Sequence, residues 1–121
     1  MSEITTHVLD AVLGKPASGI AVRLDRMDRG WVGEGLARIE EPQWIQISQG
    51  ATDVDGRCRG LAPDAPDGMF RLTFATGDYL QSKGRTSIYP EISITFHCDG
   101  KGHYHLPLLL SDNSYTTYRG S

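Results

Sequence analysis

The strongest constraint on the fold is an alternation of apolar and polar residues with period two, in short runs cut by turn residues. Successive side chains of a strand point to opposite faces, so each such run buries one face and leaves the other for a different use. His103–Leu110 shows it most clearly. Tyr104, Leu106, Leu108 and Leu110 form an apolar face, and His103, His105, Pro107 and Leu109 lie opposite. Thr5–Val12 alternates as well, with Val8, Asp10 and Val12 on one side and Thr5, His7, Leu9 and Ala11 on the other. Ile20–Asp25, Trp44–Ser48, Met69–Ala75, Ile92–His97 and Tyr115–Gly120 complete the set.

Between these runs stand breakers. Gly14-Lys15-Pro16 and Asp53-Val54-Asp55-Gly56 are turn signals. Residues 26–43, with Gly30, Gly33, Gly35 and Pro42, read as a long connection with room for a short strand. Leu61–Gly68 contains two prolines and reads as a loop. Thr76–Lys83 is the one segment that predicts a helix, with Thr76 or Asp78 to cap its start and Gly84 at its C-terminal end. Seven or eight short strands and one helix predict an antiparallel β-sandwich, since a parallel α/β fold needs more helices. The 121 residues suffice for one domain, spanning 1–121, with a single core.

Composition narrows the function. The net charge of −3 is dispersed, with no basic stripe for nucleic acid. No apolar run approaches the roughly 18 residues of a membrane span, and Met1–His7 has no charged and apolar regions of a secretory signal. A cytoplasmic protein is expected. Cys58 and Cys98 are too few for a disulfide scaffold and are expected as free thiols.

Three strands carry a face too polar for a core and too apolar for a wet surface: Thr5, His7 and Leu9; His105, Pro107 and Leu109; Thr116 and Tyr118. Such a face suits an interface or a ligand-lined cleft. Pro107 belongs where the sheet is interrupted, because proline cannot donate to a ladder. His7 and His105 are suited to activating water, since imidazole titrates near neutrality; the ordinary reading of any two histidines is surface residues. His103-x-His105, with His97 or His7, is a weak zinc signal without a recognised carboxylate or cysteine spacing. Arg57, after the turn, is either a solvated loop charge or a planar fork for an oxygen-rich anion. Cys58, between Arg57 and Arg59, is a poor candidate nucleophile with no further support.

Taken together, these segments resemble the 5-hydroxyisourate hydrolases, the enzymatic relatives of transthyretin. The resemblance rests on the C-terminal run His103-Tyr104-His105-Leu106-Pro107-Leu108-Leu109-Leu110-Ser111, then Tyr115-Thr116-Thr117-Tyr118-Arg119-Gly120-Ser121. His7-Val8-Leu9-Asp10 with Gly14-Lys15-Pro16-Ala17, Thr52-Asp53-x-Asp55-Gly56-Arg57 and Tyr89-Pro90-Glu91 agree with it in order. The terminal Tyr-Arg-Gly-Ser is the most specific of these marks.

The resemblance implies an eight-stranded transthyretin-like sandwich, assembled as a homotetramer with sites at the dimer–dimer interface. It implies cofactor-free hydrolysis of 5-hydroxyisourate in urate breakdown. The residues carried over are His7, Arg57, His105 and Ser121 for catalysis, and Arg57, Pro107, Tyr118, Arg119, Gly120 and Ser121 for substrate binding, with no metal. Deleting the last four residues is then expected to cost activity before folding. Asp112-Asn113-Ser114 departs from the family pattern and predicts an altered hairpin; residues 26–50 are longer than the family norm. The competing reading is a small-ligand carrier like transthyretin, which has no need of paired imidazoles.

Overall fold

The computed structural model describes residues 1–32 and 39–120, with the side chains of 29–32 and 39–40 left aside. Among these residues the chain forms nine strands and one helix. The strands are β1 (Ser2–Asp10), β2 (Lys15–Pro16), β3 (Ala21–Val32), β4 (Ile39–Ala51), β5 (Arg57–Ala65), β6 (Gly68–Phe74), β7 (Ile92–Cys98), β8 (His103–Leu110) and β9 (Tyr115–Thr117). The helix α1 is Thr76–Ser82. One sheet runs β2-β1-β8-β9 with β5 also on β1, and the other runs β4-β3-β6-β7.

The inner faces follow the alternation. β8 buries Tyr104, Leu106, Leu108 and Leu110, and β1 buries Ile4, Thr6 and Val8. Val22 and Leu24 of β3, with Phe70, Leu72 and Phe74 of β6, answer them from the second sheet. Two sheets closing over one apolar layer is the sandwich that the pattern predicts.

One pairing departs from the antiparallel expectation. β1 and β8 run parallel over eight residue pairs, from Glu3↔His103 to Asp10↔Leu110. Parallel neighbours need a long crossover, and nearly the whole chain lies between these two strands.

Two segments read as connections are strands. Residues 26–32 and 39–43 are paired extensions of β3 and β4, in which Arg29 pairs with Pro42 and Gly30 with Glu41. Residues 33–38 lie outside the described ones. Pro42 is tolerated because β4 is an edge strand. Leu61–Ala65 likewise continues β5 despite Pro63, on a strand whose pairing to β1 shifts register twice. Edges and bulges are where a ladder can spare an amide.

Smaller corrections concern ends. The first strand stops at Asp10, and Ala11–Gly14 is a turn that leaves Val12 exposed. Asp10 Oδ1 accepts hydrogen bonds from the Val12 and Leu13 amides, so its side chain ends the strand. Neither Thr76 nor Asp78 caps the helix. Ala75 holds the N-cap position without a side-chain bond, and the Gly77 amide donates to the Pro90 carbonyl at 3.1 Å. Gly84 has φ +72°, as expected of a C-terminal glycine. The hairpin at Asp112-Asn113-Ser114 is tied to the segment after the helix: Asp112 accepts from Arg85, and Asn113 Oδ1 accepts from the Ile88 amide.

Candidate active site

The outer face of the β1/β8 sheet gathers the residues singled out by their pattern. Arg57 pairs with His7 across β5 and β1. His7 pairs with Pro107 across β1 and β8, and Thr5 pairs with His105. A row of three adjacent strands thus carries a guanidinium and two imidazoles on one side. His7 and His105 are half-buried, and Arg57 is exposed.

Local sequence fixes each position. Asp53 Oδ1 accepts from the amides of Asp55 and Arg57, which closes the turn before β5. Those bonds, that from Arg57 foremost, hold the Asp53 carboxyl below its usual value. Gly56 completes the turn at φ +77°, and a Cβ there would meet the Val8 carbonyl at 2.3 Å. Only glycine lets the turn seat this closely on β1. The Val8 amide donates to the Gly56 carbonyl at 2.8 Å, which locks Arg57 beside His7.

His105 is held from two sides. Its Nδ1 lies 2.7 Å from Thr5 Oγ1, and the same hydroxyl lies 2.8 Å from His103 Nε2. On the other side the Gly120 amide donates to the His105 carbonyl at 2.7 Å. A Cβ on Gly120 would come within 2.9 Å of His105 Cδ2, so the tail approaches this imidazole as only glycine can. Burial lowers the His105 pKa, and the nearby charges of Arg57, His103 and His7 add to the effect. His105 is therefore kept neutral to lower pH than an ordinary histidine.

Pro107 sits in an interior strand, but where the sheet is interrupted. The β8–β9 ladder ends at Leu108↔Thr117 and is met again only at His105↔Gly120. Between them the Pro107 carbonyl accepts from Thr117 Oγ1. Arg119 lies over the Tyr104 ring at 3.9 Å and donates to the His103 carbonyl. This contact docks the tail through residue 120. Tyr118 is more than half exposed. Ser121 lies outside the described residues.

An open cleft of about 460 Å³ lies between Arg57, Arg59, Glu3, Thr5, His103 and His105. His7 adjoins Arg57 in register but is not among its lining residues. Among the described residues Arg57 has no ion-pair partner, whereas Arg59 pairs with Asp53 at 3.2 Å. An unpaired guanidinium at a cleft suits an anionic or carbonyl-rich ligand. Cys58 borders this cleft but is buried, and burial, followed by the charge of Asp53, pushes its thiol up. It has neither the access nor the acidity of a nucleophile. His97 belongs to the second sheet, away from His103 and His105. Among the described residues no three His, Cys, Asp or Glu side chains come together to hold a metal ion.

Thr5 is the residue that the sequence did not mark out. Threonine is common in strands for its shape alone. Its signal was positional, since it shares the mixed face with His7.

A two-sheet sandwich with this histidine- and arginine-bearing face defines a transthyretin-type protein. The family model described as HIUase/Transthyretin family matches residues 4–120, and the chain belongs to that family. It is 41% identical to a 5-hydroxyisourate hydrolase of Salmonella dublin, over 98% of this chain and 80% of that one. Its structure is similar to Klebsiella pneumoniae 5-hydroxyisourate hydrolase, with a TM-score of 0.79 and 33% identity over 100% and 94% of the two chains. It is equally similar to transthyretin from Sparus aurata, with a TM-score of 0.81 and 31% identity over 97% and 95%. The fold alone therefore does not separate enzyme from carrier; the side chains on the face must do so.

Proposed function

We propose that this protein is a 5-hydroxyisourate hydrolase that opens the six-membered ring of its substrate to give 2-oxo-4-hydroxy-4-carboxy-5-ureidoimidazoline. The observation that carries this reading is the row of Arg57, His7 and His105 on adjacent strands, with His105 held by Thr5. The reaction is the hydrolysis of a cyclic amide. It asks for a base to take a proton from water and for a cation to meet the oxygen on which charge develops. A neutral imidazole and a guanidinium with no ion-pair partner among the described residues are those two groups.

In this mechanism an imidazole of the His7/His105 pair deprotonates a water that adds to a ring carbonyl. His105 suits the base, because its neutral form is favoured. Arg57 holds the substrate oxygens and the tetrahedral oxyanion. The ring C–N bond then breaks, the nitrogen takes up the proton and a carboxylate is left. No step requires a cofactor. Pro107, Tyr118, Arg119 and Gly120 are assigned to substrate binding, and Ser121 to orienting the water or the imidazole.

The half-buried Leu9, His7, His105 and Leu109 face suits coverage by a second copy. We place the sites at the dimer–dimer interface of a homotetramer of single-domain chains. No helix among the described residues is long and apolar enough to cross a membrane. Two free buried thiols, Cys58 and Cys98, suit a reducing cytoplasm.

The carrier reading is favoured only by the likeness to transthyretin. A carrier has no use for an arginine beside two imidazoles. The experiment generates 5-hydroxyisourate in situ from urate and follows its ultraviolet decay with and without the protein. Acceleration supports the hydrolase; decay at the spontaneous rate, with the substrate or an aromatic ligand bound unchanged, establishes the carrier instead.

A further inference from the structure

A single hydroxyl stands between two imidazoles. Thr5 Oγ1 lies 2.7 Å from His105 Nδ1 and 2.8 Å from His103 Nε2. A hydroxyl has one proton, so it donates to one ring nitrogen and accepts from the other. Two arrangements satisfy it. In one, His105 Nδ1–H donates to Thr5 and Thr5 donates to His103, which leaves His105 Nε2 as a free base. In the other, every proton along the line has moved one place.

The two ends differ in environment. His105 is half-buried, and Arg57, His7 and His103 all add positive charge around it. A second proton on this ring is costly there. The His103 side chain is about half exposed at 47%, and Glu3 Oε1 lies 3.7 Å from its Nε2. Arg119 donates to the His103 backbone carbonyl. The outer ring thus has solvent and a carboxylate near it, and the inner ring has neither at hand.

We propose that Thr5 is a positioning residue that relays a proton between His105 and His103, the more exposed of the two rings lining the same cleft. The inference rests on the reading of His105 as the base. As water is deprotonated, its proton goes to His105 Nε2. The His105 Nδ1 proton passes to Thr5 Oγ1, and the Thr5 proton passes to His103 Nε2. His103, now an imidazolium beside the Glu3 carboxylate, releases its Nδ1 proton to solvent. Thr5 ends with one proton, as it began, and His105 ends neutral. The relay lets an imidazole in a cationic setting act as a base without holding the charge. Run backward, it resets the tautomer for the next turnover.

The test compares parent, Thr5→Val, Thr5→Ser and His103→Gln in the hydroxyisourate assay, together with long-range nitrogen-15 spectra of the histidine rings. Thr5→Val keeps the shape and removes the hydroxyl. It is expected to lower kcat by about 10- to 100-fold with KM little changed, as befits loss of a proton-transfer route. Thr5→Ser restores most of the rate, and His103→Gln reproduces the loss in kcat. In the spectra His103 and His105 titrate as a coupled pair in the parent, and Thr5→Val separates them. Thr5→Val at the parent rate overturns the relay. So does an equal loss in Thr5→Val and Thr5→Ser, which would make the role one of packing. A parent without activity overturns the functional reading instead, and the ring titrations then decide the relay alone: unchanged His103 and His105 titrations in Thr5→Val overturn it.

Discussion

Asp10 and the pair Thr5 and His7 lie on opposite faces of one strand, and the protein treats their polar groups in opposite ways. Asp10 is fully buried. It accepts from Tyr79 at 2.9 Å and from Arg85 at 2.6 and 3.2 Å, besides the two amides of the following turn. Burial alone would raise its carboxyl; the bonds from Arg85, Leu13 and Tyr79 outweigh it and hold the pKa below the usual 3.8. Burial and the bond to Asp10 push Tyr79 up to about 12. Every charged group in this cluster has a partner of opposite sign, with Arg85 shared between Asp10 and Asp112. On the other face, Arg57 has no carboxylate partner among the described residues, and His105 is surrounded by positive charge. The matched cluster ties β1 to α1 and to the 112 hairpin. The unmatched one is left to be completed by something that binds. Stability and function thus occupy two sides of the same nine residues.

The sharpest way to break this contrast is His105→Asn, which keeps a polar side chain but removes the base. Turnover of 5-hydroxyisourate should fall by about 10³-fold, while the thermal midpoint stays near that of the parent. A variant that hydrolyses at the parent rate removes His105 from the reaction. One that unfolds would move His105 to the structural side of the comparison.

Asp10→Asn tests the opposite face. It leaves the largely buried Arg85 with one carboxylate, Asp112, instead of two. Breaking a buried pair in this way costs about 3 kcal/mol, read from denaturant unfolding, with kcat per folded molecule little changed. A large loss of kcat at unchanged stability would show that the two faces are not separate.

How far these two faces could be read from the sequence differs for the same reason. The outer face was legible because His7, His105, Pro107 and Leu109 keep strict alternation, and β8 forms over His103–Leu110 as predicted. Asp10 follows the same alternation into the core, but its partners Tyr79 and Arg85 lie 69 and 75 residues away. No local pattern announces a buried ion pair closed over that distance. The paired extensions of β3 and β4 were missed because Gly30 and Pro42 are breakers by local preference, whereas an edge position overrides that preference. Thr5 was missed because its function depends on a register partner, His105, at the far end of the chain.

The smallest expected effect concerns pH, and it separates the two faces without any substitution. The His105 base works only when neutral, and its pKa lies below the ordinary 6.5. The acid limb of kcat/KM should therefore fall below pH 6.5. A lowered histidine pKa also means that the unfolded chain takes the proton first, so His105 subtracts from stability as pH drops through that range. Asp10 acts lower. Its folded pKa is depressed, so its contribution is present above 3.8 and is lost as pH falls through the depressed value. Between the two ranges the protein should remain folded while its activity is lost, as a circular-dichroism titration set beside the rate profile would show. An acid limb above pH 6.5 would assign the base to another group, and coincident loss of fold and activity would mean that the two faces of β1 respond to acid as one unit.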